Sequence, residues 1–184
     1  IHGGSYTDNI RTLDGMMLSN FACAYSCTGL SANDSSTQEL SYDVGAISAE
    51  VAGGGIRINI VPRDGGNQFT GSSFGSFANK SLQSSNLTDE LKAKGITSVD
   101  SINKLWDSSI GVGGPLRMDK LWFFTSAKYW GTQLYRSNDY YDKDPFGPIY
   151  VPDLSRQAID DQWNTSFDAR VTTQISPKNR LSVY

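Results

Sequence analysis

The segment Gly71-Ser72-Ser73-Phe74-Gly75 matches the G-x-S-x-G pattern of the hydrolase nucleophile elbow. That elbow puts its middle serine on a sharp turn between a strand and a helix, with a histidine base later in the chain. Here Ser, Phe, Ala and Asn follow Gly75 without helical periodicity, and the only histidine, His2, precedes the serine. No hydrolytic triad can be assembled from these parts. Asp139, Asp142, Asp144 and Asp153 offer oxygen ligands to Ca2+, but their spacing lacks the D-x-D-x-D-G order of an EF-hand loop, and no metal is assigned. Gly53-Gly54-Gly55 precedes a strand pattern instead of a helix, so it is no phosphate cradle. The remaining acids are dispersed, which leaves no acid/base pair to single out and no cofactor implied. Cys23 and Cys27 sit four apart in a loop-like segment, where a short disulfide fits an oxidising compartment. A metal site there would need more ligands than the neighbourhood holds, and two free thiols are the third reading.

The elements around these residues point away from catalysis. The chain of 184 residues has 16 basic and 19 acidic side chains and a net charge of −3, spread without a basic patch, so nucleic acid is not an expected partner. No run of about 18 apolar residues exists for a transmembrane helix. A transmembrane β-barrel is compatible with this composition, because its strands carry apolar residues only at alternate positions. The content of 18 Gly, 9 Tyr, 8 Phe and 4 Trp suits that architecture. The chain opens on Ile1 and closes on Tyr184 within what reads as a fresh strand, and is expected to be a fragment.

The first sixty-odd residues, rich in Gly, Ser, Asn and Asp, read as a small loop-rich α/β or β unit. Its clearest strand is Gly55 to Val61, with Ile56, Ile58 and Ile60 opposite Arg57 and Asn59, and it ends at Pro62 and the turn Arg63-Asp64-Gly65-Gly66-Asn67. Four segments of membrane-spanning length then follow, at about 67–79, 105–115, 120–134 and 161–175. The last alternates throughout: Trp163, Thr165, Phe167, Ala169, Val171, Thr173 and Ile175 oppose Asn164, Ser166, Asp168, Arg170, Thr172 and Gln174. In the third, Trp122, Phe124 and Trp130 blur the polar face. Short turns are expected at Leu116-Arg117-Met118-Asp119 and Ser176-Pro177-Lys178-Asn179, and loops of about 25 residues between the first and second strands and over Arg136 to Asp160. Short turns at one end and long loops at the other are the habit of outer-membrane barrels. A helix from Leu87 through Lys94, capped by Asn86 and closed by Gly95, is expected in the first loop. The second is aromatic and acidic, and Tyr140, Tyr141, Asp142 and Asp144 are its candidates for ligand contact, against the plainer role of rim packing and solvated charge.

The motifs resemble those of the TonB-dependent transporters of Gram-negative outer membranes. They are Ile1-His2-Gly3, Leu13-Asp14-Gly15, Gln38-Glu39-Leu40 and above all Gly54-Gly55-Ile56-Arg57-Ile58-Asn59-Ile60-Val61-Pro62-Arg63. The continuation Asp64 to Gly71, with Gly113-Gly114-Pro115 and Asp119-Lys120-Leu121-Trp122-Phe123-Phe124, is similar to the Oar-like branch. The resemblance implies a mainly antiparallel β fold: the C-terminal part of a small α/β plug in 1–64, then the first four to five strands of a transmembrane β-barrel in 65–184. It further implies energised uptake of an unidentified substrate with no enzymatic step. Its partners would be the TonB energy-transducing complex, acting through parts not in this chain, and outer-membrane lipid. A plug held by polar contacts can move without breaking a hydrophobic core. Lys128, Asp168 and Arg170 are therefore wall candidates for plug–barrel contact, with Arg57 and Arg63 facing them; ordinary surface charge is their alternative role. The competing architecture is a soluble β-sandwich that binds glycans or another ligand, with the same alternation marking one buried face and one wet face.

Overall fold

The computed structural model describes residues 9–18, 33–44, 55–96 and 98–184. Ile1-His2-Gly3, the cysteines Cys23 and Cys27, and Gly54 of the glycine-rich motif lie outside these residues. Two compact units emerge, one of 1–73, 110–128 and 166–184 and the other of 74–109 and 129–165.

A four-stranded mixed sheet is formed by β1 (Ile10–Leu13), β2 (Met16–Met17), β3 (Thr37–Asp43) and β4 (Arg57–Pro62), in the order β2-β1-β4-β3. The β1-β2 hairpin turns on Asp14 and Gly15, whose φ angles of 51° and 81° are the pair of positive values that a two-residue type I′ turn requires. Asn59 ties this hairpin to β4, since its Oδ1 accepts from Thr12 Oγ1 at 2.7 Å and from the Gly15 N–H at 3.0 Å. β1 runs parallel to β4 and β3 antiparallel to it, with a register shift between Thr37 and Glu39. Ile10, Leu13 and Ile60 are the buried apolar residues of this sheet. Among the described residues before Asp64 the regular elements are all strands.

The second sheet has five strands in simple sequence order: β5 (Thr70–Asn79), β6 (Ser101–Arg117), β7 (Leu121–Asp142), β8 (Pro152–Ser176) and β9 (Asn179–Val183). β8 and β9 are antiparallel, with Val171 opposite Val183 and Thr172 opposite Ser182. Short turns stand where they were expected, at 118–120 and 177–178; Asp119 has φ 62° and the Lys120 N–H closes the first turn on Arg117 O. Gly71 to Gly75 run extended within β5, so no strand-to-helix elbow exists for Ser73.

Two expectations need correction. Most of Arg136 to Asp160 is strand, and only 143–151 connect β7 to β8, closed by Lys143 N–H to Val151 O at 2.9 Å. These stretches lack an apolar period, but cross-strand polar pairs such as Arg136 with Asp160 sustain the ribbon where no apolar face is required. In the first loop the helix α1 (Asp89–Ala93) is shorter than expected and is capped by Thr88, whose Oγ1 accepts from the Leu91 N–H at 3.3 Å. Asn86 lies two residues too early to reach that donor; Gly95, with φ 90°, does close the helix.

Candidate functional site

On parts of β6 and β8 the apolar side chains are exposed, and the residues between them are buried. Along β8, Trp163 is 61% exposed, Phe167 74%, Val171 41% and Ile175 66%, whereas Arg170 is 9% and Thr172 1% exposed. β6 repeats this, with Ile110, Val112 and Leu116 exposed and Gly111 and Gly113 buried. Phe124, which blurred the polar face of β7, fills the room left by those glycines: a Cβ on Gly113 would stand 2.6 Å from its ring, and one on Gly111 3.1 Å. On the apolar side Trp106, Tyr129 and Trp163 of three adjacent strands form an aromatic row, with ring centroids 5.7 and 6.4 Å apart. Gly131 gives that row its space, because a Cβ there would meet the Trp106 ring.

The polar side carries the charged contacts. Arg170 is nearly enclosed, with its Nε 2.6 Å from Asp64 Oδ1 and its Nη2 donating to Asp14 Oδ2 at 3.0 Å. Asp64 also accepts from Thr172 Oγ1 at 2.9 Å and from Arg180 Nη2 at 3.2 Å. Burying a guanidinium is costly unless its donors find anions, and here two carboxylates converge on it. Beside this cluster, buried Asn33 donates to Ser126 Oγ at 2.9 Å and to Asp168 Oδ2 at 3.2 Å, while its Oδ1 accepts the Ser35 N–H. Lys128 Nζ reaches Asp34 at 3.3 Å. Lys128, Asp168 and Arg170 are thus brought together with the segments flanking the small sheet. Arg63 is not: its Nε donates to Thr37 O at 3.0 Å, inside the small sheet. Arg57 lies in β4 across from Ile10 and Asp43.

Asp14, Asn33, Asp34 and Asp64 were not singled out from the sequence. The three acids meet cations, Asp14 and Asp64 with Arg170 and Asp34 with Lys128, while Asn33 meets Ser126 and Asp168. The only available signal was turn chemistry: Asp14-Gly15 and Asp64-Gly65 place an acid where the chain reverses.

The segment after Asp64 is clamped onto the turn between β6 and β7. Asn67 Oδ1 accepts from the Asp119 N–H at 2.9 Å and from Trp122 Nε1 at 2.7 Å, and Arg180 lies over the Trp122 ring. Gly65 allows the backbones to touch, since a Cβ would run into the Phe123 carbonyl. Gly65→Ala is expected to cost about 1–3 kcal/mol, because a backbone, not a flexible side chain, must move. Urea unfolding of the folded protein measures it, and an unchanged midpoint would contradict the close approach.

Tyr140, Tyr141 and Asp142 belong to β7 and only Asp144 to the connection, so three of the four loop candidates are strand residues. The two carboxylates serve the local backbone: Asp142 accepts the N–H groups of Asp144 and Val151, and Asp144 that of Phe146. Tyr140 O accepts from Tyr150 OH, and Arg156 lies 4.9 Å from the Tyr141 ring centre. Among the described residues, no three or more His, Cys, Asp or Glu side chains are grouped to hold a metal ion.

Farther along the ribbon Arg136 bridges two carboxylates, donating from Nη1 to Asp100 at 3.1 Å and from Nη2 to Asp160 at 2.5 Å. The Ser137 N–H, then Arg136, hold Asp100 below the usual carboxylate range, and Arg136, then Gln162, do the same for Asp160. A depressed folded-state value means that the contribution is complete above the ordinary carboxylate value of 3.8 and disappears as pH falls below it. The Ser137 amide is therefore expected to keep its hydrogen-exchange protection factor down to about pH 4 and to lose it on further acidification. Constant protection to pH 2 would contradict the role of Asp100.

No protein-family model matches the chain, and no solved structure matches it. Among curated proteins, 126 residues, 67% of this chain, are 29% identical to the TonB-dependent transporter Oar of Myxococcus xanthus. The matched stretch spans 12% of that protein's length. The chain is similar, at this distance and over that minor part, to a TonB-dependent transporter.

Proposed function

We propose that the chain is part of a TonB-dependent outer-membrane transporter, with residues 1–64 the later part of its plug and 65–184 the first strands of its barrel. The observation that carries this is the inverted sheet: large apolar side chains stand exposed on one face, while Arg170, Thr172 and Ser126 are buried on the other. Lipid explains both faces at once. It covers the apolar side, and the polar side holds an element that can be moved without tearing a hydrophobic core. The stretch from Trp163 to Ile175 supports the same reading, running about 40 Å at ~3.3 Å per residue. Tilted by about 45°, it covers about 28 Å, against an apolar band about 25 Å tall. The row Trp106, Tyr129 and Trp163 would mark one interfacial girdle. The similarity to a named TonB-dependent transporter supports the family and not a particular branch.

In this reading the protein takes up a substrate without chemical conversion, the TonB complex is its energy-transducing partner, and the outer membrane of a Gram-negative bacterium is its location. Lys128, Asp168 and Arg170 are the wall side of the plug contact, and Asp14, Asn33, Asp34 and Asp64 its other side. A soluble sandwich would need a second layer over the apolar face; the exposure of Phe167 and Ile175 speaks against it. Cell fractionation of the full-length protein tests the reading: it should sediment with outer membranes and migrate faster unheated than boiled in detergent gels. A full-length product that is monomeric in water would overturn it.

A further inference from the structure

The connection between β5 and β6 borders a half-open cavity of about 280 Å3, and of its lining only Asp100 takes part in the charged contacts described above. Its walls are Lys80 and 83–87 on one side, 98–101 on the other, and Gln157 of β8. The volume falls at the small end of ligand sites, which run about 300–1,000 Å3, and suits a dipeptide or a single sugar unit better than a polymer.

The walls are held before any ligand arrives. Gln83 Oε1 accepts the Ile102 N–H at 2.7 Å, and Gln157 Nε2 donates to Arg136 O at 2.8 Å. The Asp100 carboxylate is taken up by the Ser137 N–H at 2.7 Å and by Arg136 Nη1 at 3.1 Å. The lining acid is therefore already satisfied and its charge offset. Lys80 is the lining cation, and among the described residues it takes part in no ion pair. Serine hydroxyls and amide groups supply further donors, while Leu87 and Val99 give a small apolar surface. Lys80 and Asp100 are the lining charges, and with the Asp100 carboxylate already held by Ser137 and Arg136, Lys80 is left to meet a ligand, which favours an anion rich in acceptors.

We infer that this cavity binds a small carboxylate-bearing ligand, with the anion paired to Lys80 and its polar remainder against the serine and amide wall. Two sources share that chemistry, the carboxyl end of a short peptide and an acidic sugar. The inference deepens the transport reading by naming the class of ligand gathered beyond the aromatic row, and only its place in uptake rests on that reading.

Calorimetric titration of the full-length protein in micelles tests it, with alanyl-alanine against its amide, and glucuronate against its methyl ester. One acid should bind about tenfold or more tightly than its neutral counterpart, and the series that does so identifies the source. Lys80→Gln should remove the preference for the acid, and Leu87→Trp should weaken all binding by filling the cavity, both with wild-type heat-modifiable migration. Equal binding of acid and neutral forms, no binding of either acid, or a preference that survives Lys80→Gln would overturn the site. Failure here with the protein in outer membranes leaves the transport reading standing. Binding as described by a protein absent from outer membranes would overturn that reading and keep the site.

Discussion

Asp64→Ala is expected to lower the free energy of unfolding by about 2–3 kcal/mol. Asp64 serves three partners at once, with Arg170 at 2.6 Å, Thr172 at 2.9 Å and Arg180 at 3.2 Å. The Arg180 arm is half exposed and screened, so little of the loss comes from there. The Arg170 arm is different, because this guanidinium is almost fully enclosed and would keep only Asp14. Stranding a buried charge costs about 3–5 kcal/mol when no partner remains; the surviving Asp14 pair and the one-third exposure of Asp64 reduce that figure. Adding Arg170→Met should recover much of the loss, since an apolar side chain of similar length removes the stranded charge. Urea unfolding in micelles at two salt concentrations makes the comparison. A loss under 0.5 kcal/mol, or a double variant worse than the single, would mean that Arg170 is not held by Asp64.

The second large effect concerns the opposite face. Val171→Arg is expected to cost about 2–4 kcal/mol in a bilayer, because along β8 Val171 stands between Trp163 and Ile175, and in the proposed orientation its charge would come near the midplane. On a water-facing sheet the same change at a residue 41% exposed should stay within about 0.5 kcal/mol, so the measurement separates lipid from solvent. Val171→Leu is the control and should be nearly neutral. Thr172→Arg is no control for facing, since Thr172 is buried and bonded to Asp64 and its loss would be severe for a different reason. If Val171→Arg proved mild in vesicles, the apolar face would not be the lipid face.

The facing of β8 was legible because strand periodicity is local: alternate side chains point to opposite sides wherever the backbone is extended. The short turns at Asp119 and Pro177 were legible for the same reason, as turn chemistry depends on two or three consecutive residues. The ends of β7 and β8 were not. Arg136 to Asp142 and Pro152 to Asp160 carry no apolar alternation, and their strand form depends on a partner ribbon supplying backbone and charged pairs. The helix cap was misplaced for a smaller reason, since Asn86 and Thr88 are both good caps and only the geometry shows which reaches the Leu91 N–H.

For the candidate site, the sequence by itself determined which long-strand side chains share the polar face: Asp168, Arg170 and Thr172 follow from their even spacing opposite Trp163 and Val171. Only the tertiary structure decided what they meet. Arg170 pairs with Asp14 and Asp64, which stand 156 and 106 positions away along the chain, and Asp168 meets Asn33 through a hydrogen bond 135 positions long. Arg63 is engaged within its own sheet instead. A periodic pattern encodes direction through bonds between neighbours, whereas the identity of a charge's partner depends on where a second segment comes to rest. That placement is written in the close backbone approach at Gly65 and the Asn67 clamp, and in no spacing along β8.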